Sequence, residues 1–309
     1  MVPDPEATGS ASGLIGTNSP MDIDGGLNAA VHAGHHQDLA RQEVTVTQSR
    51  AVCRLDLFAA VLLLGSHGFA HAQPEVDLAL VLAVDTSSSM DADEVDLQRQ
   101  GYVEAFRSAA VQNAIRSGMS GRIAVIYVDW SDASDQRIVV PWTLIGEEEE
   151  AMAFARRLEV KPTRRASGAT SVSGAIDFGR HLLMTAPFES TRKVIDISGD
   201  GTNNHGRPVA QARGATVLQG ITINGLPLVF KRPDGPLDLW NVGRYYHDCV
   251  IGGMGAFIIP VHDASHFAEA IRFKLVREIA IPSSEPLIKL AESEPLMDCR
   301  EGASNRSMR

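Results

Sequence analysis

Cysteine is scarce in this chain. The three that occur among its 309 residues, Cys53, Cys249 and Cys299, form no Cys-x-x-Cys pair and no zinc-ligand spacing, which excludes a structural zinc module. Basic charge is in deficit: 28 Lys and Arg stand against 38 Asp and Glu, a formal net charge of -10. A nucleic-acid partner is thereby excluded, because neutralising phosphates demands a basic face. The acidity favours attraction of cations instead. Long apolar runs are missing as well, and nothing after residue 72 approaches transmembrane length. There is no internal repeat and no Gly-x-Ser-x-Gly nucleophile elbow. What is present, 44% hydrophobic and 21% charged residues, is enough for one large globular domain or two small ones.

The chain changes character along its length. Residues 1–49 are rich in Gly, Ser, Ala, Asp and His without apolar periodicity, so disorder is expected. His32, His35 and His36 are read there as solvated rather than as metal ligands. Residues 50–72 have the build of a secretory signal peptide: Arg50 and Arg54, the short apolar core Leu57–Gly65, and Ala70-His71-Ala72 as the cleavage site. Asp56 beside the core is atypical. Such a peptide belongs at the start of a protein, so translation is expected to begin near Val44 or Val46, with residues 1–43 not made. Peptides from Met1 to Arg41 in the cellular protein would refute this. No twin arginine precedes the core, which points to the general secretory route. Export places the mature chain, from Gln73, in the periplasm or outside the cell. Cys249 and Cys299 then meet an oxidising compartment and are candidates for a disulfide, which the sequence leaves open.

Residues 73–281 alternate strands and helices. Leu78–Val84 is a short, wholly apolar run, as a strand buried on both faces should be. Asp91 and Glu94 form a capping-box pattern opening a helix to about Ile115. Arg122–Val128 reads as a strand, and Gln136–Leu144 as an edge strand because of Pro141. Helices are expected at Glu147–Leu158, Ser173–Met184 and Pro208–Gln219. Further strands are expected at Val194–Gly199, Ile221–Ile223, Leu226–Phe230 and Gly255–Val261. Residues 231–250 read as irregular, with Trp240, Tyr245, Tyr246 and His247 packing over a sheet end. An amphipathic helix over His266–Ala280 buries Phe267, Ala270, Ile271, Leu275 and Ile279, and 282–309 is a polar tail. The predicted architecture is α/β: a doubly wound, mostly parallel sheet with helices on both faces.

The first strand stops at Asp85-Thr86-Ser87-Ser88-Ser89. A tight loop there aims the oxygens of residues 85, 87 and 89 at one spot, a set that suits a hard cation such as Mg²⁺. The pentapeptide alone reads equally well as a Ser-rich turn capping the next helix. Downstream, Gly168-Ala169-Thr170-Ser171 precedes a helix, and Val194–Gly199 is an apolar strand ending at Asp200. With these pieces in this order, residues 77–280 resemble the von Willebrand factor A-type domain. Asp85, Ser87 and Ser89 match that family's Asp-x-Ser-x-Ser motif, Thr170 its separate threonine and Asp200 its second aspartate. Together they correspond to its metal-ion-dependent adhesion site.

The resemblance implies that Ser87, Ser89 and Thr170 touch Mg²⁺ or Mn²⁺ directly, while Asp85 and Asp200 act mostly through water. It also implies that a carboxylate from a protein partner fills the open position, so that the function is binding and not catalysis. A narrower resemblance, carried by Tyr246-His247-Asp248-Cys249-Val250-Ile251-Gly252-Gly253 and Gly255-Ala256-Phe257, is to exported A-domain proteins of proteobacteria. Two alternatives stay open. Asp85 with Gly199-Asp200-Gly201-Thr202-Asn203-Asn204 faintly resembles haloacid-dehalogenase-type phosphohydrolases, with Asp85 as nucleophile. That family requires acids where this chain has Ser87 and Asn204. The other is an assembly module of the same fold with no metal.

Overall fold

The computed structural model describes residues 73–164, 166, 168–229, 242–280 and 298–299. The expected N-terminal extension, the signal peptide and almost all of the C-terminal tail lie outside the described residues. Among the described residues, no helix is long and apolar enough to cross a membrane.

The apolar run at 78–84 belongs to β1, Glu75–Asp85, in which every residue after Glu75 is buried. A strand so buried needs a partner on each edge and a layer on each face. Its edges are taken by β2 (Ile123–Trp130) and β4 (Glu189–Gly199), both parallel to it. Beyond β2 lies β3 (Gln136–Ile145), antiparallel and at the sheet edge, where Pro141 costs no ladder bond. Beyond β4 lies β5 (Thr222–Pro227), parallel, giving the order β3-β2-β1-β4-β5.

Side chains alternate across β1. Leu78, Leu80, Leu82 and Val84 face one layer, built from α1 (Ala92–Arg107), α2 (Ala109–Arg116), α3 (Glu148–Glu159) and α7 (Phe267–Ile279). Ala79, Val81 and Ala83 face the other, built from α4 (Val172–Met184), α5 (Val209–Val217) and a π-helix, Tyr246–Val250, that continues the short α6 (Val242–Tyr245). This is the expected doubly wound, mostly parallel α/β sheet.

Several local expectations are corrected. The helix expected from Asp91 to Ile115 is two helices. The Ser108 hydroxyl accepts from Val111 N–H, starting α2 afresh. The capping box at its start is present, with Asp91 and Glu94 bonding each other's backbone N–H. The two short strands expected around 221–230 are the single strand β5, and Phe230 lies outside the described residues. Gly255–Val261 is not a strand: only single bridges, Ile258 to Gly225 and Val261 to Leu228, join it to the sheet side. Gly255 has φ +69° and Pro260 has no N–H to offer a ladder, so continuous pairing is broken at both ends. The described end of the supposedly irregular 231–250 stretch is helical.

Candidate metal centre

β1 and β4 are neighbours and parallel, so their C-terminal ends deliver Asp85 and Asp200 to the same rim of the sheet. After Asp85 the chain turns tightly. Thr86 N–H donates to Trp130 O on β2 (2.8 Å), and Met90 N–H closes the turn on Ser87 O (3.1 Å). The segment before α4 lies across this turn, with Ala166 N–H donating to Thr86 O at 2.7 Å and Ser88 N–H to Gly168 O at 3.3 Å. Thr170 therefore arrives beside Ser87 just ahead of Ser171, whose hydroxyl caps α4 through Gly174 N–H.

All five residues singled out in the sequence meet here. Thr170 Oγ1 donates to Ser87 Oγ (3.3 Å), Ser87 Oγ lies 3.0 Å from Ser89 Oγ, and the Ser89 hydroxyl donates to Asp200 Oδ1 (2.6 Å). Asp85 closes the group from beneath: its Oδ1 accepts from Ser87 N–H at 2.8 Å. Its other oxygen, Oδ2, is buried with no hydrogen-bond partner among the described residues. An orphaned carboxylate oxygen is costly in a protein interior. Burial and then the nearby Asp200 charge push the Asp85 carboxyl up to about 8, against the pull of the Ser87 donors and of the Asp200 backbone N–H. Two carboxylates and three hydroxyls thus converge, an all-oxygen donor set that fits a hard divalent cation. A bound cation would supply the positive charge that this pair of acids lacks.

Four residues beside this centre were not assigned to it in the sequence. Gln98 on α1 spans the two strand ends, accepting from the Ser198 hydroxyl at 2.9 Å and donating to Asp85 O at 3.4 Å. Asn204 clips the Asp200 loop to the Thr170 loop: its Oδ1 accepts from Thr170 N–H, and its own N–H donates to Thr170 O, both at 2.9 Å. Asn203 Oδ1 accepts from Ser173 N–H (2.9 Å), and its backbone N–H reaches the Tyr245 hydroxyl at 3.1 Å. The fourth is Tyr246, fully buried beside Asp85. The signal available in the sequence was an amide, Gln98, at a helix position in phase with Val95 and Tyr102.

At the rim, Arg164 pairs with Asp135 (2.7 Å), and His205 Nδ1 lies 3.5 Å from Asp132 Oδ1. Arg165 lies outside the described residues. Within the π-helix, Cys249 is joined to Cys299, with the sulfurs 2.07 Å apart.

Solved structures similar to this chain include a von Willebrand factor type A protein from Catenulispora acidiphila (15% identity, TM-score 0.47, covering 66% of this chain and 43% of that one). Another is the pilus adhesin SpaC from Lactobacillus rhamnosus GG (14%, TM-score 0.48, 67% and 30%). A third is proximal thread matrix protein 1 from the mussel byssus, in a form with a zinc-occupied MIDAS motif (13%, TM-score 0.44, 67% and 48%). The chain thus spans less than half the length of each of these. No curated protein sequence matches it. Residues 75–283, from the start of β1 past the end of α7, match the family described as protein of unknown function DUF1194, and the chain belongs to that family.

Proposed function

We propose that this protein is an exported, non-enzymatic module that binds a protein partner through a divalent cation. Ser87, Ser89 and Thr170 would hold Mg²⁺ or Mn²⁺ directly, with Asp85 and Asp200 ordering its waters. The observation that carries the reading is the chain of hydroxyls from Thr170 to Asp200, set over an Asp85 oxygen with no partner among the described residues. Neutral hydroxyl ligands leave a bound cation electrophilic, so that it attracts an acidic oxygen from outside. Ser89 is exposed at the mouth while Asp85 and Ser87 are buried, so one side faces solvent and a partner's carboxylate has access.

The protein's own residues do the positioning. Asn204 fixes Thr170, Gln98 ties the two strand ends, and Asp85 aligns Ser87 through its backbone N–H. Calorimetry of the purified chain with Mg²⁺ and with Mn²⁺, beside Asp85→Ala and Ser87→Ala, tests this. Binding by the parent that both variants lose is expected, with no turnover of a generic phosphomonoester. Turnover abolished by Asp85→Ala would instead make Asp85 a nucleophile and overturn the binding-module reading. A partner captured equally well in chelator would favour a metal-free assembly role.

A further inference from the structure

Tyr246 is the first residue of the π-helix, and its ring is fully buried. Two strands make room for it by omitting side chains. A Cβ on Gly225 of β5 would stand 2.8 Å from Tyr246 Cδ1, and a Cβ on Gly199 of β4 would stand 2.7 Å from its hydroxyl oxygen. Gly225 pairs with Ile197, two residues before Gly199, so the two gaps open on the same face of the sheet. The same Cβ on Gly199 would also stand 2.7 Å from Asp85 Oδ2. The tyrosine hydroxyl and the inner carboxylate oxygen therefore converge on the bare side of one glycine. Both atoms are buried, and neither has a hydrogen-bond partner among the described residues.

A phenol with no partner inside a core is unfavourable, because a phenylalanine would fill the same groove without that cost; what sets Tyr246 apart is that its hydroxyl shares the bare face of Gly199 with Asp85 Oδ2. Nor is the placement a by-product of loose packing. The neighbouring Tyr245 meets Tyr246 edge-on with ring centroids 6.3 Å apart, and its hydroxyl receives Asn203 N–H from the Asp200 loop. The disulfide at Cys249 ties the same π-helix to Cys299. Such helices occur often at functional sites, where the extra residue re-aims a side chain.

We propose that Tyr246 is a positioning residue of the metal centre: its hydroxyl and Asp85 Oδ2 converge on Gly199 without bonding in this structure, and with a cation bound the hydroxyl donates to that oxygen and fixes the carboxylate that orients the cation's waters. This rests on the metal-site reading above. Gly199 and Gly225 belong to the same device, since each leaves the space that lets the ring reach the site.

The test is Mn²⁺ calorimetry on the full chain and on Tyr246→Phe, with Tyr127→Phe as a control that removes another buried phenol hydroxyl. Loss of an outer partner of a metal ligand typically weakens affinity about 10- to 100-fold. That fall is expected for Tyr246→Phe alone, with the melting temperature in chelator unchanged or raised. Equal Mn²⁺ affinity in Tyr246→Phe and the parent would overturn the inference while leaving the metal site intact. A fall matched by Tyr127→Phe, or accompanied by an equal loss of stability in chelator, would assign Tyr246 a packing role only. A parent that binds no Mn²⁺ would refute the metal-site reading itself.

Discussion

Replacing Glu278 by Gln should make this protein less sensitive to pH without weakening it. Glu278 and Lys274 lie one turn apart on α7, paired with each other, and both are almost completely buried. Lys274 Nζ also meets Asp196 Oδ1 of β4 at 2.5 Å, and Asn224 Nδ2 of β5 donates to Glu278 Oε1 at 2.9 Å. One ammonium thus faces two carboxylates in the core. Burial, and then the Asp196 charge, push Glu278 from its ordinary 4.5 up to about 7, against the pull of Lys274. Because the folded value is the higher one, the native state holds a proton that the unfolded chain has released. Its stabilisation is complete below about pH 4.5 and is lost as the pH rises to about 7. At about 1.4 kcal/mol per pH unit, the loss is about 3 kcal/mol.

A glutamine keeps the acceptor for Asn224 and removes the titration. Urea unfolding in chelator from pH 5 to pH 8 should show the parent losing about 2.5 kcal/mol more than Glu278→Gln across that range, the rest of the loss falling below pH 5. Lys274→Met leaves two buried acids without their cation. It should cost about 3–5 kcal/mol at pH 8 and less at pH 5. Parallel pH profiles for parent and Glu278→Gln, or a loss of under about 1 kcal/mol for Lys274→Met at pH 8, would refute this account of the cluster.

Gly199→Ala drives a methyl against Asp85 Oδ2 and the Tyr246 hydroxyl, each 2.7 Å away, and should cost about 1–3 kcal/mol with loss of Mn²⁺ binding, read by thermal melts and calorimetry. Asn204→Ala breaks the side-chain half of the clip on Thr170, and should lower stability by about 1 kcal/mol and weaken the cation site in the same assays. Reducing Cys249–Cys299, 50 residues apart, should lower stability by roughly 4 kcal/mol on loop-entropy grounds, measured by urea unfolding with and without reductant. Asp91→Ala, which removes a capping box, should cost about 1 kcal/mol and leave metal affinity unchanged.

What was legible in the sequence was whatever depends on local pattern. The continuous apolar run at 78–84 reads as a central strand, and the acid and spaced hydroxyls at its end read as a candidate cation loop once Thr170 and Asp200 are set beside them. Asp85, Ser87, Ser89, Thr170 and Asp200 do come together. The less legible parts depend on tertiary partners. Lys274 and Glu278 lie outside the apolar set expected to be buried on the 266–280 helix, yet Asp196 and Asn224 across the interface draw them inside. Tyr246 read as packing over a sheet end, because nothing in its own neighbourhood names the two distant glycines that admit it. Gly255–Val261 is apolar enough for a strand, but only its geometry against β5 reveals that it touches by single bridges. The break at Ser108 turns on one hydroxyl choosing its cap over helix continuation.

The position of β4 beside β1 has a consequence for the order of folding. The hydrogen bond from Ser89 to Asp200 joins residues 111 apart in sequence, and β2, β3, α3 and α4 all lie between them. Closing so long a loop is slow, and its entropy must be overcome before any contact rewards it. The corner where Asp85, Ser87, Ser89, Thr170 and Asp200 meet therefore does not exist in a partly folded chain, however well β1 and β2 have already joined. If the proposed site takes a cation, an ion added during refolding will report the final docking of β4, and until that moment it will find only scattered hydroxyls.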